Sequence, residues 1–391
     1  MPAVSEAVFV LDAAAILSPF ERFSPGRVVV RGDRIEAVGG MSDVRVPEGA
    51  TRVDAMSLTL VPGFIEPHVH GCGGFDVMEA TPESMAVICT TLARHGTTSF
   101  LPTTVSSPVD EIESALDRLG ALIRTPFFGA RPLGIHLEGP FLNAQRRGTH
   151  QESYVRMPDA GLLSNWLERA KGTIKLLTMA PELSGFGPVS DLARREGVVV
   201  AMGHSDATYA EAIAAVNAGT RYAVHTFNAM RPFSHRDPGI VGAVLDDERI
   251  FAEIIADGVH VAPEVVRTFA KAKGPNRLIL ATDATSATGM PDGRYALGTS
   301  HVEVRAGVCR NAEGRLAGST LTQDRALRNL IQWTGMRLDD AVRGLTANPA
   351  VALSLEGRGR IEPGAFADLV LLDSNPEVIR TYVGGVIAFE R

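Results

Sequence analysis

The chain has 391 residues and a formal net charge of −7, and hydrophobic residues make up 45% of it. This size and composition are typical of a globular protein with one large and one smaller domain, and they exclude the disordered and fibrous classes. The negative charge disfavours a surface that binds nucleic acid or anionic membranes. Because no basic segment precedes the first apolar stretch and no window is long enough to span a bilayer, we expect a cytoplasmic protein.

Short apolar runs separated by turn residues occupy both ends of the chain. In GRVVVRGDRIEAVGG the pair Gly32-Asp33 separates two strand-like segments, and in IRTYVGGVIAFER the pair Gly384-Gly385 does the same. Such pairs between apolar runs indicate β-hairpins. We predict that residues 1–57 and 355–391 together form a small β-sandwich domain.

Between the two ends, eight apolar runs alternate with helix-like stretches. The runs are LTLVPGFIEPHVH, TTSFLPTTV, RPLGIHLEGPF, IKLLTMAPE, VVVAMGHS, RYAVHTFNAM, IFAEIIADGVH and RLILATDAT. Two of the helix-like stretches, PESMAVICTTLARHG and TYAEAIAAVNAG, end at a glycine, which commonly terminates a helix. Alternating strands and helices indicate an α/β fold with a parallel sheet. Eight such units predict a (β/α)8 TIM-like barrel over residues 58–354 rather than an open doubly wound sheet.

Polar side chains stand at the predicted carboxyl ends of these strands, where barrel enzymes place their active sites. They are His68, His70, His136, Glu138, His204, His225 and Asp283. A single histidine there is more often a packed core residue than a ligand, so the prediction depends on their coincidence. His68 and His70 point to the same side of their strand because side chains alternate along it.

Imidazole and carboxylate groups suit a divalent metal, with zinc the expected ion and iron, cobalt or manganese as alternatives. The cysteines Cys72, Cys89 and Cys309 show no ligand-type spacing, which favours a catalytic metal over a structural zinc. Asp283 ends the run LILATD and is the candidate to accept and donate protons. Its alternative role is to cap a helix or turn.

The order of these strand-end residues resembles that of the amidohydrolase superfamily. HLEGPFLN followed by RRGTH resembles its N-acetylglucosamine-6-phosphate deacetylases, and MGHSDAT, HTFNAM, ADGVH, TDAT and LAGSTLT follow in the family's order over nearly the whole chain. The resemblance implies metal-dependent hydrolysis of N-acetyl-D-glucosamine 6-phosphate to D-glucosamine 6-phosphate and acetate, a step of amino-sugar catabolism or recycling.

The same resemblance implies a metal site with one or two ions per subunit. Glu138, His204 and His225 would hold the principal ion, and His68 and His70 a second one. Glu138 is better placed than Lys175 to bridge two ions. For His136 we expect a supporting hydrogen bond rather than a metal bond.

The resemblance further assigns a set of residues to substrate binding: His150, Asn228, Ala229, Arg236, His260, Leu316, Ala317 and Gly318. Arg236 and His260 would contact the phosphate, for which a guanidinium offers a planar fork of donors. Arg236 would reach the site of a neighbouring subunit, which implies a homodimer. The alternative for Arg236 is a loop arginine paired with Asp237. His150 would bind either the oxyanion of the reaction or a sugar hydroxyl.

Other functions fit parts of this pattern. The alternative activities within the superfamily are those of an N-acetylgalactosamine-6-phosphate deacetylase, a D-aminoacylase and a dihydroorotase-like cyclic amidase. The motif HLEGPF together with Arg236 and His260 favours a sugar phosphate as the substrate. A non-catalytic scaffold on the same fold is a further alternative, which the complete set of ligand-type residues disfavours. Glu66 and Thr226 depart from the residues usual in the family, and neither is a proposed ligand. The metal's identity, the number of ions and the preferred sugar epimer are left open.

Overall fold

The computed structural model describes residues 7–391, in which strands and helices alternate between two strand-rich ends. The strands are β1 (Val8–Leu17), β2 (Arg22–Phe23), β3 (Gly26–Arg31), β4 (Arg34–Gly40), β5 (Thr51–Pro62), β6 (Phe64–Val69), β7 (Gly71–Cys72), β8 (Phe75–Asp76), β9 (Thr97–Pro102), β10 (Arg131–Pro132), β11 (Ile135–Glu138), β12 (Ile174–Met179), β13 (Val199–Met202), β14 (Tyr222–Ala223), β15 (Phe251–Ile254), β16 (Leu278–Leu280), β17 (Gly293–Leu297), β18 (Ser300–Arg305), β19 (Val308–Arg310), β20 (Leu369–Leu372), β21 (Val378–Val383) and β22 (Val386–Glu390). The α-helices are α1 (Pro82–Ala93), α2 (Val109–Leu122), α3 (Ala160–Arg169), α4 (Phe186–Arg195), α5 (Tyr209–Asn217), α6 (Gly239–Asp246), α7 (Pro263–Lys273), α8 (Gln323–Thr334), α9 (Leu338–Ala341) and α10 (Ala347–Ala352).

One sheet joins the two ends of the chain. Its strand order is β22-β21-β20-β5-β1-β3-β4, with β2 added beside β1. Strand β5 pairs in parallel with β1 and antiparallel with β20, so N-terminal and C-terminal strands share one hydrogen-bonded ladder. Both predicted hairpins, β3–β4 and β21–β22, are confirmed as antiparallel pairs.

The predicted boundary at residue 57 falls inside β5, which continues to Pro62. The chain passes from β5 to β6 at Gly63, where a Cβ atom would lie 2.2 Å from Thr98 Oγ1, so only glycine fits this close approach. The run LTLVPGFIEPHVH is apolar on both sides of Gly63, and hydrophobicity alone therefore did not separate β5 from β6. Residues 1–6 of the predicted first segment lie outside the described residues.

Nine strands between these ends, β6 and β9 to β16, pair in parallel, which confirms the predicted α/β class. Strand β6 pairs with β9, and β11 to β16 follow one another in a single sheet. Two isolated parallel bridges link these groups: Thr103 with His136, and Val69 with Ala284. Side chains from β9, β12, β13, β14, β15 and β16 meet in one apolar cluster, which contains Leu101, Leu176, Ala201, Tyr222, Phe251 and Ile279.

The helices begin where their sequences provide capping groups. At α5 the Thr208 side chain accepts the backbone N–H of Glu211, whose carboxylate accepts the N–H of Thr208. This reciprocal capping box satisfies two amides that have no partner within the helix. Thr81 and Ser84 make the same arrangement at α1, so both helices predicted from the sequence are confirmed.

A large apolar core packs the helices against the parallel strands. Trp166, Ile88 and Leu116 are fully buried in it. Burying a large apolar side chain contributes about 1.5–3 kcal/mol, so this core holds the strand ends on a rigid base. Within residues 7–391, no helix combines the length and apolar character that crossing a bilayer requires.

Candidate active site

A cavity of about 150 Å³ opens at the carboxyl ends of the parallel strands. Most of the residues that the sequence nominated line it: His70, Glu138, His150, His204, His225, Asn228, Ala229, His260, Asp283, Leu316 and Gly318. They come from segments that are far apart in sequence and meet because parallel strands end at one rim.

Four imidazoles converge on the buried carboxylate of Glu138. Its Oε1 lies 3.1 Å from His225 Nε2, 3.3 Å from His204 Nε2 and 3.3 Å from His68 Nε2. Its Oε2 lies 3.2 Å from His70 Nε2. All five residues predicted as metal ligands therefore meet at one point. Glu138 lies between the two histidines at the end of β6 and the histidines that follow β13 and β14.

In two of these histidines, the hydrogen bond of Nδ1 determines which ring nitrogen carries the proton. His70 Nδ1 lies 3.2 Å from the Thr103 carbonyl oxygen, and His204 Nδ1 lies 3.0 Å from that of Arg146. A carbonyl only accepts hydrogen bonds, so in the neutral rings Nδ1 donates its proton and Nε2 presents a lone pair to the centre.

This donor set fits a divalent metal ion. His204 Nε2 and His225 Nε2 lie 3.1 Å apart, with no protein group between them. In a tetrahedral zinc site with bonds of about 2.0–2.1 Å, neighbouring ligand atoms lie about 3.3 Å apart. In addition, His68 Nε2 is buried without a hydrogen-bond partner among the described residues, as expected for an atom that faces an ion. Three overlapping ligand groups occur: His68–Glu138–His225, His68–His70–Asp283 and Glu138–His150–His204.

Asp283 follows β16 and lies on the rim of the metal-ligand cluster. Its Oδ1 is 3.2 Å from His70 Nε2, and its backbone N–H donates to the His68 carbonyl oxygen over 3.1 Å. Burial raises the pKa of this carboxyl, but when His68 and His70 are protonated, the hydrogen bond from His70 Nε2–H and the two positive charges outweigh burial and hold the pKa below its usual value. Asp283 is therefore a carboxylate at neutral pH.

Three strand-end residues have left-handed backbone conformations: φ is +46° at His204, +28° at His225 and +51° at Asp283. Such angles are uncommon for residues other than glycine and cost free energy, and they concentrate at functional sites. At these three residues the backbone leaves the extended strand conformation, so that the side chains point into the cavity.

His150 has a different hydrogen-bond arrangement from that of the candidate ligands. Its Nδ1 accepts the backbone N–H of Ser106 over 3.1 Å and lies 2.9 Å from the Ser106 hydroxyl. Since Nδ1 accepts, the neutral ring carries its proton on Nε2, which lies 3.5 Å from Glu138 Oε2. His150 therefore presents a hydrogen-bond donor to the cavity.

His260 forms an ion pair at the cavity wall, since its Nδ1 lies 2.7 Å from Asp257 Oδ2. Burial lowers the pKa of His260, but the hydrogen bond and charge of Asp257 outweigh it and raise the pKa above its ordinary value. The other Asp257 oxygen accepts the backbone N–H groups of Val259 and His260, both over 2.8 Å. The ring is thus held firmly and favours its cationic form.

Two nominated substrate residues do not line the cavity of this chain. Arg236 is exposed, and Asp237 pairs with Arg231 over 2.6 Å instead of with Arg236. Ala317 is fully buried and packs with Leu297 and Val302 behind the wall. Within one chain, therefore, the site does not contain Arg236.

His136 lies beneath the cavity and not in its lining. Its Nε2 is 2.8 Å from Thr178 Oγ1, and its Nδ1 is 3.2 Å from the Pro67 carbonyl oxygen. Its ring centroid is 4.6 Å from that of His68. Both ring nitrogens have partners, but none of these partners is a candidate ligand, so His136 contacts the ligands through the His68 ring and not through the expected hydrogen bond.

Three polar contributors were missed by the sequence analysis: Ser106, Asp257 and Glu253. Ser106 gave no signal because it lies 44 residues from His150. Asp257 stands three residues before His260, a spacing at which an acid can reach a histidine. Glu253 interrupts the apolar run IFAEII, and a charged residue in a buried strand is itself a signal of a polar role.

The sequence model of the amidohydrolase family matches residues 59–388. The chain belongs to the amidohydrolase family. This amidohydrolase is 36% identical over 360 residues to the N-acetylglucosamine-6-phosphate deacetylase of Vibrio furnissii, which covers 91% of this chain and 90% of that protein. It is 38% identical to the N-acetylgalactosamine-6-phosphate deacetylase of Escherichia coli O157:H7 over 344 residues, which are 88% of this chain and 90% of that one.

A solved structure resembles the amidohydrolase over nearly its full length. It is the N-acetyl-D-glucosamine-6-phosphate deacetylase of Mycobacterium smegmatis, in an aspartate-to-alanine variant in complex with N-acetyl-D-glucosamine-6-phosphate. The TM-score is 0.92 at 37% identity, and the match covers 98% of this chain and 99% of the other. The resemblance that the motifs predicted is confirmed.

Proposed function

We propose that this amidohydrolase hydrolyses the acetamide of N-acetyl-D-glucosamine 6-phosphate to D-glucosamine 6-phosphate and acetate. The observation that carries the proposal is a single cavity in which metal-ligand-type side chains, the carboxylate of Asp283 and the cation-favouring His260 face one another. Relatives with this activity match the chain over about nine-tenths of its length (91% for the Vibrio furnissii enzyme), which supports the same substrate class.

We infer that a divalent metal ion is the cofactor, with zinc first and iron, cobalt or manganese as alternatives. Glu138, His204 and His225 would hold the principal ion, and His68 and His70 a second one. Such an ion, when bound, polarises the amide carbonyl and makes a coordinated water a nucleophile at neutral pH, since the pKa of that water falls from about 15.7 to about 7.

Asp283 carries the proton transfers in this proposal. The pKa of its carboxyl lies below the usual value of an aspartate, so the group is a carboxylate at neutral pH, and it lies at the mouth of the ligand cluster. It accepts a proton from the attacking water and delivers it to the nitrogen of the leaving amine, which must be protonated to depart.

His150 is the donor for the carbonyl oxygen of the substrate. The Ser106 N–H fixes the proton of its neutral ring on Nε2, and the Nε2–H points into the cavity. A preorganised donor stabilises negative charge as it develops on that oxygen. This arrangement favours the oxyanion over a sugar hydroxyl as the partner of His150.

We propose that His260 and Asn228 orient the sugar phosphate, with Ala229, Leu316 and Gly318 along the sugar or acetyl group. The raised pKa of His260 favours an imidazolium, whose Nε2–H is a charge-assisted donor for a phosphate oxygen. Asn228 lines the same cavity. For Ala317, which is fully buried, we propose an indirect role through the wall it supports.

We further propose a homodimer in which Arg236 binds the phosphate in the partner's site. Its exposure and its absence from the cavity lining of its own chain support this assignment. The test mixes two inactive proteins, Arg236→Ala and Asp283→Asn. Mixed dimers should regain one complete site and therefore acetate release. No recovery from a mixture that demonstrably exchanges subunits would refute the assignment.

We propose that the parallel strands close into a (β/α)8 barrel, with β10 and β11 counted as one of its eight strands, and that the joint sheet of the ends forms a small β-sandwich domain. The two parallel bridges beside β6 and β11, and the apolar cluster shared by six strands, support closure. We propose Gly63 as the first boundary in place of residue 57, since β5 belongs to the end sheet. The second boundary remains near residue 354.

The test of function measures acetate release by metal-replete protein from N-acetylglucosamine 6-phosphate, its galactosamine epimer and unphosphorylated N-acetylglucosamine. The epimer is the second candidate substrate, because a 38% identical relative is named for it. We expect release from a sugar phosphate and little from the unphosphorylated sugar. Metal-loaded protein that releases acetate from neither sugar phosphate would refute the proposal.

A further inference from the structure

Glu253 is a fully buried carboxylate beneath the candidate metal site, and it lies outside the cavity lining. One oxygen, Oε2, is 3.0 Å from His68 Nδ1 and accepts the backbone N–H of His225 over 3.1 Å. The other oxygen, Oε1, is 2.8 Å from the Tyr222 hydroxyl. Removing a carboxylate from water costs several kcal/mol, so these contacts must compensate for its burial.

The first contact fixes the protonation of His68. A carboxylate oxygen that accepts an N–H from His225 also accepts from His68, so the proton of the neutral ring lies on Nδ1. His68 Nε2 then presents its lone pair toward Glu138 Oε1, 3.3 Å away. Among the described residues this Nε2 has no hydrogen-bond partner, as expected of a ligand atom.

The second contact holds the backbone of His225. This residue has φ of +28°, a conformation that needs support from its surroundings. Glu253 provides it from two groups: its side chain accepts the His225 N–H, and its carbonyl oxygen accepts the Thr226 N–H over 2.9 Å. The N–H groups of His225 and Thr226 therefore both donate hydrogen bonds to Glu253, and His225 Nε2 is directed at Glu138.

We propose that Glu253 is a positioning residue that preorganises the ligand group His68–Glu138–His225 by fixing the tautomer of His68 and the backbone of His225. This proposal rests on the proposed metal centre. Partners that orient metal-bound histidines typically change metal affinity about 10- to 100-fold when they are removed. The effect here should depend on hydrogen-bond geometry rather than on the negative charge.

Two substitutions separate geometry from charge. Glu253→Asp keeps the charge but withdraws the carboxylate by one methylene from both histidines, and it should weaken zinc binding about 10-fold or more. Glu253→Gln keeps the length. Its carbonyl oxygen can accept from His68 and His225 while its amide donates to the Tyr222 oxygen, so zinc affinity should stay within about threefold of wild type.

Tyr222→Phe is the matched control, because it removes one hydrogen bond of Glu253 and leaves both histidine contacts in place. Zinc affinity of each apoprotein is measured by chelator competition, with metal stoichiometry and the melting temperature determined on the same samples. We expect wild type, Tyr222→Phe and Glu253→Gln to bind zinc with similar affinity and Glu253→Asp to bind it far more weakly. Wild-type affinity in Glu253→Asp, or a loss in Glu253→Gln as large as that in Glu253→Asp, would overturn the proposal.

The failure of this proposal is distinguishable from that of the metal centre itself. Wild-type protein that binds no zinc contradicts the centre, whereas wild-type protein that binds zinc regardless of Glu253 contradicts only the positioning role. If Glu253→Asp does not fold, histidine ¹H–¹⁵N spectra of zinc-loaded wild type decide the question. They should contain a downfield Nδ1–H resonance that moves in Glu253→Gln, and its absence overturns the proposal.

Discussion

Replacing His150 with asparagine tests the proposed donor to the carbonyl oxygen. The imidazole is held by the Ser106 N–H at 3.1 Å and lies against the His204 ring with a centroid distance of 4.7 Å. Its Nε2–H therefore has one direction, into the cavity. Asparagine can still accept the Ser106 N–H, but its shorter side chain cannot place a donor where Nε2 lies.

The expected magnitude follows from this preorganisation. Removing one oriented donor to a developing oxyanion costs about 2.7–4 kcal/mol, which lowers kcat about 10²- to 10³-fold. Ser106→Ala is the matched control, because it removes the hydroxyl contact at 2.9 Å but keeps the backbone N–H that fixes the tautomer. One hydrogen bond contributes about 1 kcal/mol net, so the control should lose only about fivefold.

The assay is initial-rate acetate release over a range of N-acetylglucosamine 6-phosphate concentrations, with metal content matched between variants. Loss of an interaction made only in the transition state lowers kcat and kcat/KM equally, whereas loss of a contact with a sugar hydroxyl raises KM and leaves kcat unchanged. A His150→Asn enzyme with wild-type kcat and raised KM would refute the oxyanion role and assign His150 to the sugar.

Three further outcomes are expected. Asp283→Asn should lower kcat about 10²- to 10⁴-fold at unchanged protein fold, as measured by acetate release and circular dichroism. The pKa of His260 is raised, and its cationic form is lost as pH rises through that pKa. Because the cation binds the phosphate, KM should increase with pH in wild type and stay constant with pH in His260→Asn. Asp12→Ala removes the buried acceptor of Arg27 and of Arg52 and should lower the free energy of unfolding by about 3 kcal/mol at pH 7 in urea titrations. Because the Arg27 hydrogen bond holds the pKa of Asp12 below 3.8, that difference should persist above pH 3.8 and shrink as pH falls through the folded-state pKa.

Local sequence patterns predicted the elements of this protein well. The hairpin at Gly32-Asp33 and the helix in TYAEAIAAVNAG depend on residues within a few positions of each other. The alternation of side chains along a strand likewise placed His68 and His70 on one side. These features are set by backbone geometry over short distances, and the sequence contains that information directly.

The convergence of the candidate site was also predictable in outline. Parallel strands of successive βα units end at the same rim, so polar residues at strand ends such as Glu138 and His225 were expected to meet. The 3.1 Å separation of these two side chains bears this out. The pairing of Asp237 with Arg231 in place of Arg236 was not evident, because a loop residue has no periodic pattern that fixes its direction.

The sequence by itself thus determined the α/β class, the strand-end chemistry and the family. Only the tertiary structure decided which nitrogen of His150 carries the proton, that β5 ends before Gly63, and that Glu253 lies behind two histidines. Glu253 and His68 are 185 residues apart. Periodicity specifies the face on which a side chain lies, but a contact over such a separation depends on how the whole core packs and on where each buried polar group finds its partner.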